Sequence, residues 1–129
     1  MNAPITIRRV RLFDIAQINR IEKATFPTPW SFDALFSDMF LSNTTMYFAA
    51  VVGNVVVGYG GMWFAADEAH ITNVAVREDY RGQHIGSAIM EQLINGAHEM
   101  GMASLSLEVR DSNERAQSLY HKYGFFTAG

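Results

Sequence analysis

The sequence predicts an α/β fold in which a mixed, mainly antiparallel central sheet is flanked by helices. Three observations predict it. Residues 39–66 carry no charge, yet Gly53-Asn54 interrupts them between two valine-rich arms. Apolar residues recur at helical spacing on both sides of this stretch. Residues 105–109 then alternate like a strand after the longest helical pattern.

Three elements are predicted ahead of the uncharged stretch. Residues 6–10 form a short β-prone segment. A first helix follows, because apolar side chains recur at helical spacing: Leu12, Ile15, Ile18 and Ile21. The intervening positions are polar: Asp14, Asn19, Arg20 and Glu22. Pro27 and Pro29 end this helix, and Ser31 caps a second one with apolar positions at Phe32, Leu35, Phe36 and Met39.

The uncharged stretch is predicted to be a buried hairpin rather than a membrane span. An apolar run of about 18 residues or more is typical of a spanning helix. However, Gly53-Asn54 is a two-residue turn signal between β-branched arms, and Gly58, Gly60 and Gly61 weaken a helix further. No cluster of Lys or Arg flanks either end. We therefore expect no membrane association.

The second half of the chain predicts strand, helix, strand, helix and strand. A strand over residues 69–76 follows the Asp67-Glu68 turn, and a third helix, closed by Gly101, has a regular apolar face: Ile85, Ala88, Ile89, Leu93 and Ala97. A strand over 105–109 precedes a last helix that opens on Asp111 and Glu114, and residues 125–127 are again β-prone. The order β-α-α-β-β-β-α-β-α-β predicts one domain over residues 1–129.

Composition excludes several classes of function. The chain has 129 residues and no cysteine, which excludes disulfides, thiolate metal sites and a cysteine acyl-enzyme. Ten Lys and Arg against 13 Asp and Glu give a net charge of −3, which argues against direct nucleic-acid binding. The four histidines lack metal-ligand spacing, so no metal is expected. No export signal is visible at the start, and a cytoplasmic protein is the expectation.

The segment from Ile71 to Ser87 carries the strongest local signal. A strand leads through a tight loop into a helix whose first turn is rich in glycine. Unpaired amides at a helix start attract anions, and Arg81 adds a fixed positive charge there. The residues alone leave open whether this is an anion site or a well-formed helix start without a ligand.

This segment resembles the acetyl-CoA-binding motif of the GNAT N-acetyltransferase superfamily, an Arg/Gln-x-x-Gly-x-Gly/Ala loop. The resemblance implies acetyl-CoA as cosubstrate, with Val74, Ala75 and Val76 contacting its pantetheine and acetyl group. It also implies a loop that holds the pyrophosphate: Arg81, Gly82, Gln83, His84, Ile85, Gly86 and Ser87. His84 replaces the middle glycine of the family. Its side chain either crowds the pyrophosphate or, when partly protonated, attracts it, so that CoA affinity falls as pH rises.

Residues 107–113 and 116–125 resemble the RimI branch of this superfamily, as does the loop 26–31 with its Pro-Trp-Ser end. That branch acetylates the N-terminal alanine of a small-subunit ribosomal protein. The resemblance implies that Glu108 is the general base, that Tyr120 protonates the departing thiolate, and that Asn113 bonds the CoA arm. Taken alone, Glu108 is a solvated strand-end carboxylate and Tyr120 a packed core tyrosine. His70 is either a second base or, as we expect, a cross-strand surface histidine.

The function that this predicts is acetyl transfer from acetyl-CoA to a protein N-terminus by direct attack in a ternary complex. A small-amine acetyltransferase and a catalytically idle CoA-binding module stay open as alternatives. Against the family pattern the chain is expected to lack the final C-terminal strand, which implies an exposed edge through which a homodimer could form.

Overall fold

The computed structural model describes residues 4–107, and they form a sheet with helices on both faces. The strands are β1 (Ile5–Arg9), β2 (Thr45–Val52), β3 (Val55–Ala65), β4 (Glu68–Val76) and β5 (Ser104–Leu107). The helices are α1 (Ile15–Thr25), α2 (Phe32–Phe36) and α3 (Ile85–Glu99). Short 3-10 turns lie at Leu12–Asp14 and Glu78–Tyr80, and a π-helical turn, Ser37–Leu41, extends α2. The last predicted helix and strand lie outside the described residues.

The sheet is mixed, as predicted, because one of its pairings is parallel. The strand order is β1-β2-β3-β4-β5, and the pairs from β1 to β4 are antiparallel. β4 and β5 are parallel and are joined through α3. A parallel pair requires such a crossover, which places α3 against one face of the sheet.

Two apolar clusters lie on the two faces of the sheet. The α3 cluster contains Ile85, Ile89 and Leu93 with sheet residues such as Ile71. The α1 cluster contains Ile18 and Leu35 with sheet residues including Tyr47, Tyr59 and Ala75. The side chains of β4 therefore divide between an α3 face and an α1 face.

The uncharged stretch contains the hairpin that the sequence predicts. β2 and β3 pair antiparallel around a turn at Gly53, whose φ of 62° is left-handed. Gly60 on β3 lets α3 approach closely, because a Cβ atom there would stand 2.5 Å from Cγ2 of Ile89. None of the helices in the described part of the chain has the length and apolar character that a membrane crossing requires.

The first helix differs from its prediction at both apolar and polar positions. Leu12, expected on the apolar face, lies in the 3-10 turn before α1 and is exposed. Three positions counted as polar are buried instead: Asp14, Asn19 and Glu22. Asp14 accepts hydrogen bonds from the Arg8 guanidinium and from the Arg11 N–H, whereas Asn19 and Glu22 face the loop after α1.

Candidate functional site

The C-terminal half of β4 follows its described pairing with β5. That pairing is parallel and runs from Glu68 opposite Ser104 to Ile71 opposite Leu107, the last described residue. A bulge lies at Thr72, and residues 73–76 pair with β3. Main-chain N–H and C=O groups of a strand can pair with an extended ligand. The main chain of Val74–Val76 is the candidate position for such a ligand.

The side chains at this position belong to the core. Ala75 is 3% exposed and packs in the α1 cluster, whereas Val74 and Val76 are partly buried against the α3 cluster. The contact predicted for Val74, Ala75 and Val76 would therefore be made mainly through their backbone groups.

The loop between β4 and α3 is held to the strands by its ends. The Arg77 N–H donates to the Val57 carbonyl oxygen at 2.8 Å, and a single 3-10 turn follows over Glu78–Tyr80. The Arg81 Nε then donates to the Val76 carbonyl oxygen at 3.1 Å, which folds its guanidinium over the end of β4. Arg81, the predicted anion-binding arginine, thus lies beside the C-terminal end of β4.

His84 occupies a backbone conformation that suits glycine. Its φ and ψ are 63° and 21°, in the left-handed region, and it directly precedes α3. Gly82 also has a positive φ, 82°. The family motif has glycine at the position of His84, and its conformation here gives a steric reason for that glycine. The imidazole is exposed, so it does not fill the first turn of α3.

The start of α3 offers main-chain donors next to this loop. Ala88 donates the first intrahelical bond, to the His84 carbonyl oxygen at 3.1 Å. The amides of Ile85 and Gly86 precede that bond, and such amides carry the partial positive charge of a helix N-terminus. Together with Arg81 they form a positively polarised corner at the end of β4. The described residues thus bring Val74–Val76 and Arg81–Ser87 together, as the sequence predicts.

A buried carboxylate for which the sequence predicts no role lies on the α1 face of β4. Glu22 is 1% exposed, and its Oε2 accepts the Trp30 N–H at 2.8 Å. Its Oε1 accepts a short hydrogen bond from the Tyr59 hydroxyl and a long one, 3.5 Å, from Asn73 Nδ2 on β4. Burial, reinforced by the charge of Glu22, raises the pKa of Tyr59 well above its usual value, which keeps the hydroxyl a donor.

His70 lies across the sheet from two neighbours, as expected of a cross-strand histidine. Its ring stacks on Trp63 of β3 with centroids 4.2 Å apart, and its Nδ1 is 2.6 Å from the Ser106 hydroxyl of β5. Its Nε2 lies 3.6 Å from a Glu68 carboxylate oxygen. The predicted Glu108, Asn113 and Tyr120 lie outside the described residues; Glu108 directly follows β5 in sequence.

No group of three or more His, Cys, Asp or Glu side chains within the described range could hold a metal ion. The described part of the site consists of the end of β4, a loop and a helix start, with main-chain amides and Arg81 as its positive groups.

Comparisons with known proteins agree with this arrangement. The sequence profile described as Acetyltransferase (GNAT) family matches residues 14–125. A ribosomal protein bS18-alanine N-acetyltransferase of Escherichia coli K12 is 32% identical over 120 residues, covering 93% of this chain and 80% of that protein. A Bacillus subtilis protein provisionally given the same name is 34% identical over 129 residues, covering all of this chain and 85% of the relative.

A solved structure extends this similarity to the fold. The crystal structure of the ribosomal-protein-S18-alanine N-acetyltransferase from Escherichia coli superposes with a TM-score of 0.87 at 31% identity. The match covers 98% of this chain and 80% of that one.

Proposed function

Because the chain belongs to the acetyltransferase (GNAT) family, we propose that it transfers the acetyl group of acetyl-CoA to the α-amino group of an N-terminal alanine. The acceptor would be a protein, and a small-subunit ribosomal protein is the first candidate. GNAT acetyltransferases use acetyl-CoA as the acetyl donor. The observation that carries the proposal is the positively polarised start of α3, with Arg81, at the C-terminal end of β4.

The described residues fit the two ends of acetyl-CoA. An extended pantetheine arm would pair with the main chain of Val74–Val76, as the family resemblance implies. The pyrophosphate matches the loop from Gly82 to Ser87, where helix amides and Arg81 supply donors and positive charge. By the same resemblance, Asn113 would hydrogen-bond the CoA arm.

The proposed chemistry is one direct transfer. Glu108 takes a proton from the acceptor amine, whose pKa near 8 leaves it mostly protonated at pH 7. The amine nitrogen then forms a bond to the thioester carbon while a main-chain N–H near Val74–Val76 stabilises the charge on the carbonyl oxygen. The C–S bond breaks as the amide forms, Tyr120 gives its proton to the departing sulfur, and the second proton lost by the nitrogen returns to the Tyr120 oxygen, directly or through water. No cysteine is present to carry the acetyl group in between.

The choice of a protein acceptor rests on the relatives. The Escherichia coli and Bacillus subtilis proteins are named for acetylating the alanine of ribosomal protein bS18, and each matches most of this chain. The loop 26–31 supports the same choice, because its Trp30 is 39% exposed and its main chain is fixed next to β4 by Glu22. A small-amine acceptor and a chain that binds CoA without turnover remain the alternatives.

A three-acceptor assay tests the proposal. CoA release is followed with a peptide that begins with alanine, with the same peptide blocked at its N-terminus, and with spermidine. We expect release with the first peptide alone. Turnover with spermidine but not with the free peptide would establish the small-amine alternative. Tight CoA binding without turnover on any acceptor would establish the idle module.

A further inference from the structure

Two buried side chains of α1 hold the main chain of Trp30 from both sides. The Glu22 Oε2 accepts the Trp30 N–H at 2.8 Å, and the Asn19 Nδ2 donates to the Trp30 carbonyl oxygen at 3.3 Å. Asn19 and Glu22 are three residues apart and therefore lie on one face of α1. They are 7% and 1% exposed, although Trp30 itself lies at the surface. The position of the loop at Trp30 is thus set by α1.

Glu22 also connects this loop to β4. Its second oxygen, Oε1, accepts hydrogen bonds from the Tyr59 hydroxyl and from Asn73 Nδ2. Asn73 directly precedes Val74 on β4. One carboxylate therefore joins the loop, β3 and β4 on the α1 face of the sheet. A buried carboxylate is stable only when such donors satisfy it, so removing one partner is costly.

The α1 face is the one from which an acceptor can approach. α3 packs against the opposite face of β4, where Val74 and Val76 join its cluster. An amine that attacks an acetyl group at the C-terminal end of β4 must come from the side that α3 does not cover, and the loop with Trp30 lies on that side. The loop is therefore placed to guide the acceptor.

We propose that Glu22 is a positioning residue for the acceptor, which fixes the loop at Trp30 relative to Asn73 and the C-terminal end of β4. The inference rests on the proposed function, since it assumes an acceptor that reaches this end of the strand. Glu22 acts through the loop and not on the reacting atoms. Displacement of the loop at Trp30 weakens acceptor binding while leaving the acetyl-CoA side of β4 unchanged.

Glu22→Gln tests this with little change in shape. A carboxylate offers only acceptors, and here it meets three donors, whereas a glutamine amide must turn its own N–H₂ toward one of them. We expect KM for the alanine peptide to rise about tenfold, which corresponds to about 1.4 kcal/mol. KM for acetyl-CoA and kcat should change less than about threefold, because neither depends on the loop.

Tyr59→Phe is the matched control. It removes a donor from the same buried carboxylate but leaves the bond between Glu22 and the Trp30 N–H in place, so it should lower stability without raising the peptide KM. Asn19→Ala, which releases the Trp30 carbonyl, should raise the peptide KM as Glu22→Gln does. An equal rise in Tyr59→Phe would overturn the proposal, as would a loss confined to kcat in Glu22→Gln.

A second readout works without turnover. Trp30 and Trp63 are the two tryptophans of the sequence, so Trp63→Phe leaves Trp30 as the single fluorophore. In that background Glu22→Gln should shift the Trp30 emission to the red and strengthen its quenching by acrylamide, whereas Tyr59→Phe should not. If the wild type acetylates no N-terminus, the proposed function fails but this comparison still decides the role of Glu22. Unchanged quenching in Glu22→Gln would refute it.

Discussion

Replacing His84 by glycine and, separately, by alanine tests whether the loop before α3 is shaped for a residue without a side chain. The φ of 63° and ψ of 21° place His84 in the left-handed region. That region costs a residue with a Cβ atom about 1–2 kcal/mol. Glycine avoids this cost but loses about 0.5–1 kcal/mol through its greater freedom in the unfolded chain. We therefore expect His84→Gly to be more stable than His84→Ala by about 0.5–1 kcal/mol.

Urea unfolding measures this difference, and a position inside α3 supplies the control. Since the His84 side chain is exposed, its removal costs little packing. For a small domain the expected difference moves the unfolding midpoint by about 0.3–0.5 M urea. At Ala88, within α3, glycine should instead be less stable than alanine by about 1 kcal/mol. If glycine is also the less stable of the two at position 84, the left-handed conformation is refuted.

The same variants separate the backbone of the loop from its imidazole in CoA binding. If the side chain attracts the pyrophosphate, both His84→Gly and His84→Ala should bind CoA up to about fivefold less tightly, the range of an exposed charge pair. Calorimetric titration with CoA measures this. A large gain in affinity in His84→Gly would show that the side chain crowds the pyrophosphate instead.

Four further substitutions test the packing of α3, the ion pair of Asp14 and the proposed catalytic residues. Gly60→Ala should lower the free energy of unfolding by about 1–3 kcal/mol, because a Cβ atom there would collide with α3; an unchanged urea midpoint would contradict the close approach. Burial opposes ionisation of Asp14, but hydrogen bonds from Arg8 and from the Arg11 N–H outweigh it, so the pKa of Asp14 lies below its usual value. Asp14 therefore stabilises the fold above about pH 4. Asp14→Asn should lower the free energy of unfolding by about 1–3 kcal/mol at pH 7. This difference from the wild type should shrink as the pH falls through the folded pKa of Asp14. A difference that stays constant from pH 7 into the acid range would disprove this. Glu108→Gln and Tyr120→Phe should each lower kcat about 10²–10⁴-fold in steady-state assays, and an unchanged kcat in both would remove them from the mechanism.

Local patterns were sufficient to predict the sheet and its hairpin. Gly53-Asn54 marked the turn between β2 and β3, and the φ of 62° at Gly53 is what such a turn requires. The strand, loop and helix that form the candidate site were also predicted, because their signals lie within neighbouring residues. The second helix was only partly predicted, since the π-helical turn over Ser37–Leu41 has no local signature.

The buried polar cluster could not be predicted from the sequence. The partners of Glu22 are distant along the chain: Tyr59 is 37 residues away and Asn73 is 51. The helical pattern counts Glu22 among the polar positions of the first helix, and it cannot show that a loop and two strands bring donors to its carboxylate. The left-handed conformation of His84 could not be predicted from the residue itself, because histidine does not mark that conformation. Only the glycine at this position of the family motif indicates it.

Locating the acetyl group on the product is the most direct test of the account. A peptide with an N-terminal alanine and an internal lysine is incubated with the protein and acetyl-CoA, and the product is fragmented in a mass spectrometer. We expect a single acetyl group on the α-amine, whose lower pKa, near 8 against about 10.4 for lysine, makes its proton easier to remove. An acetyl group on the lysine, or no acetylated peptide at all, would contradict it.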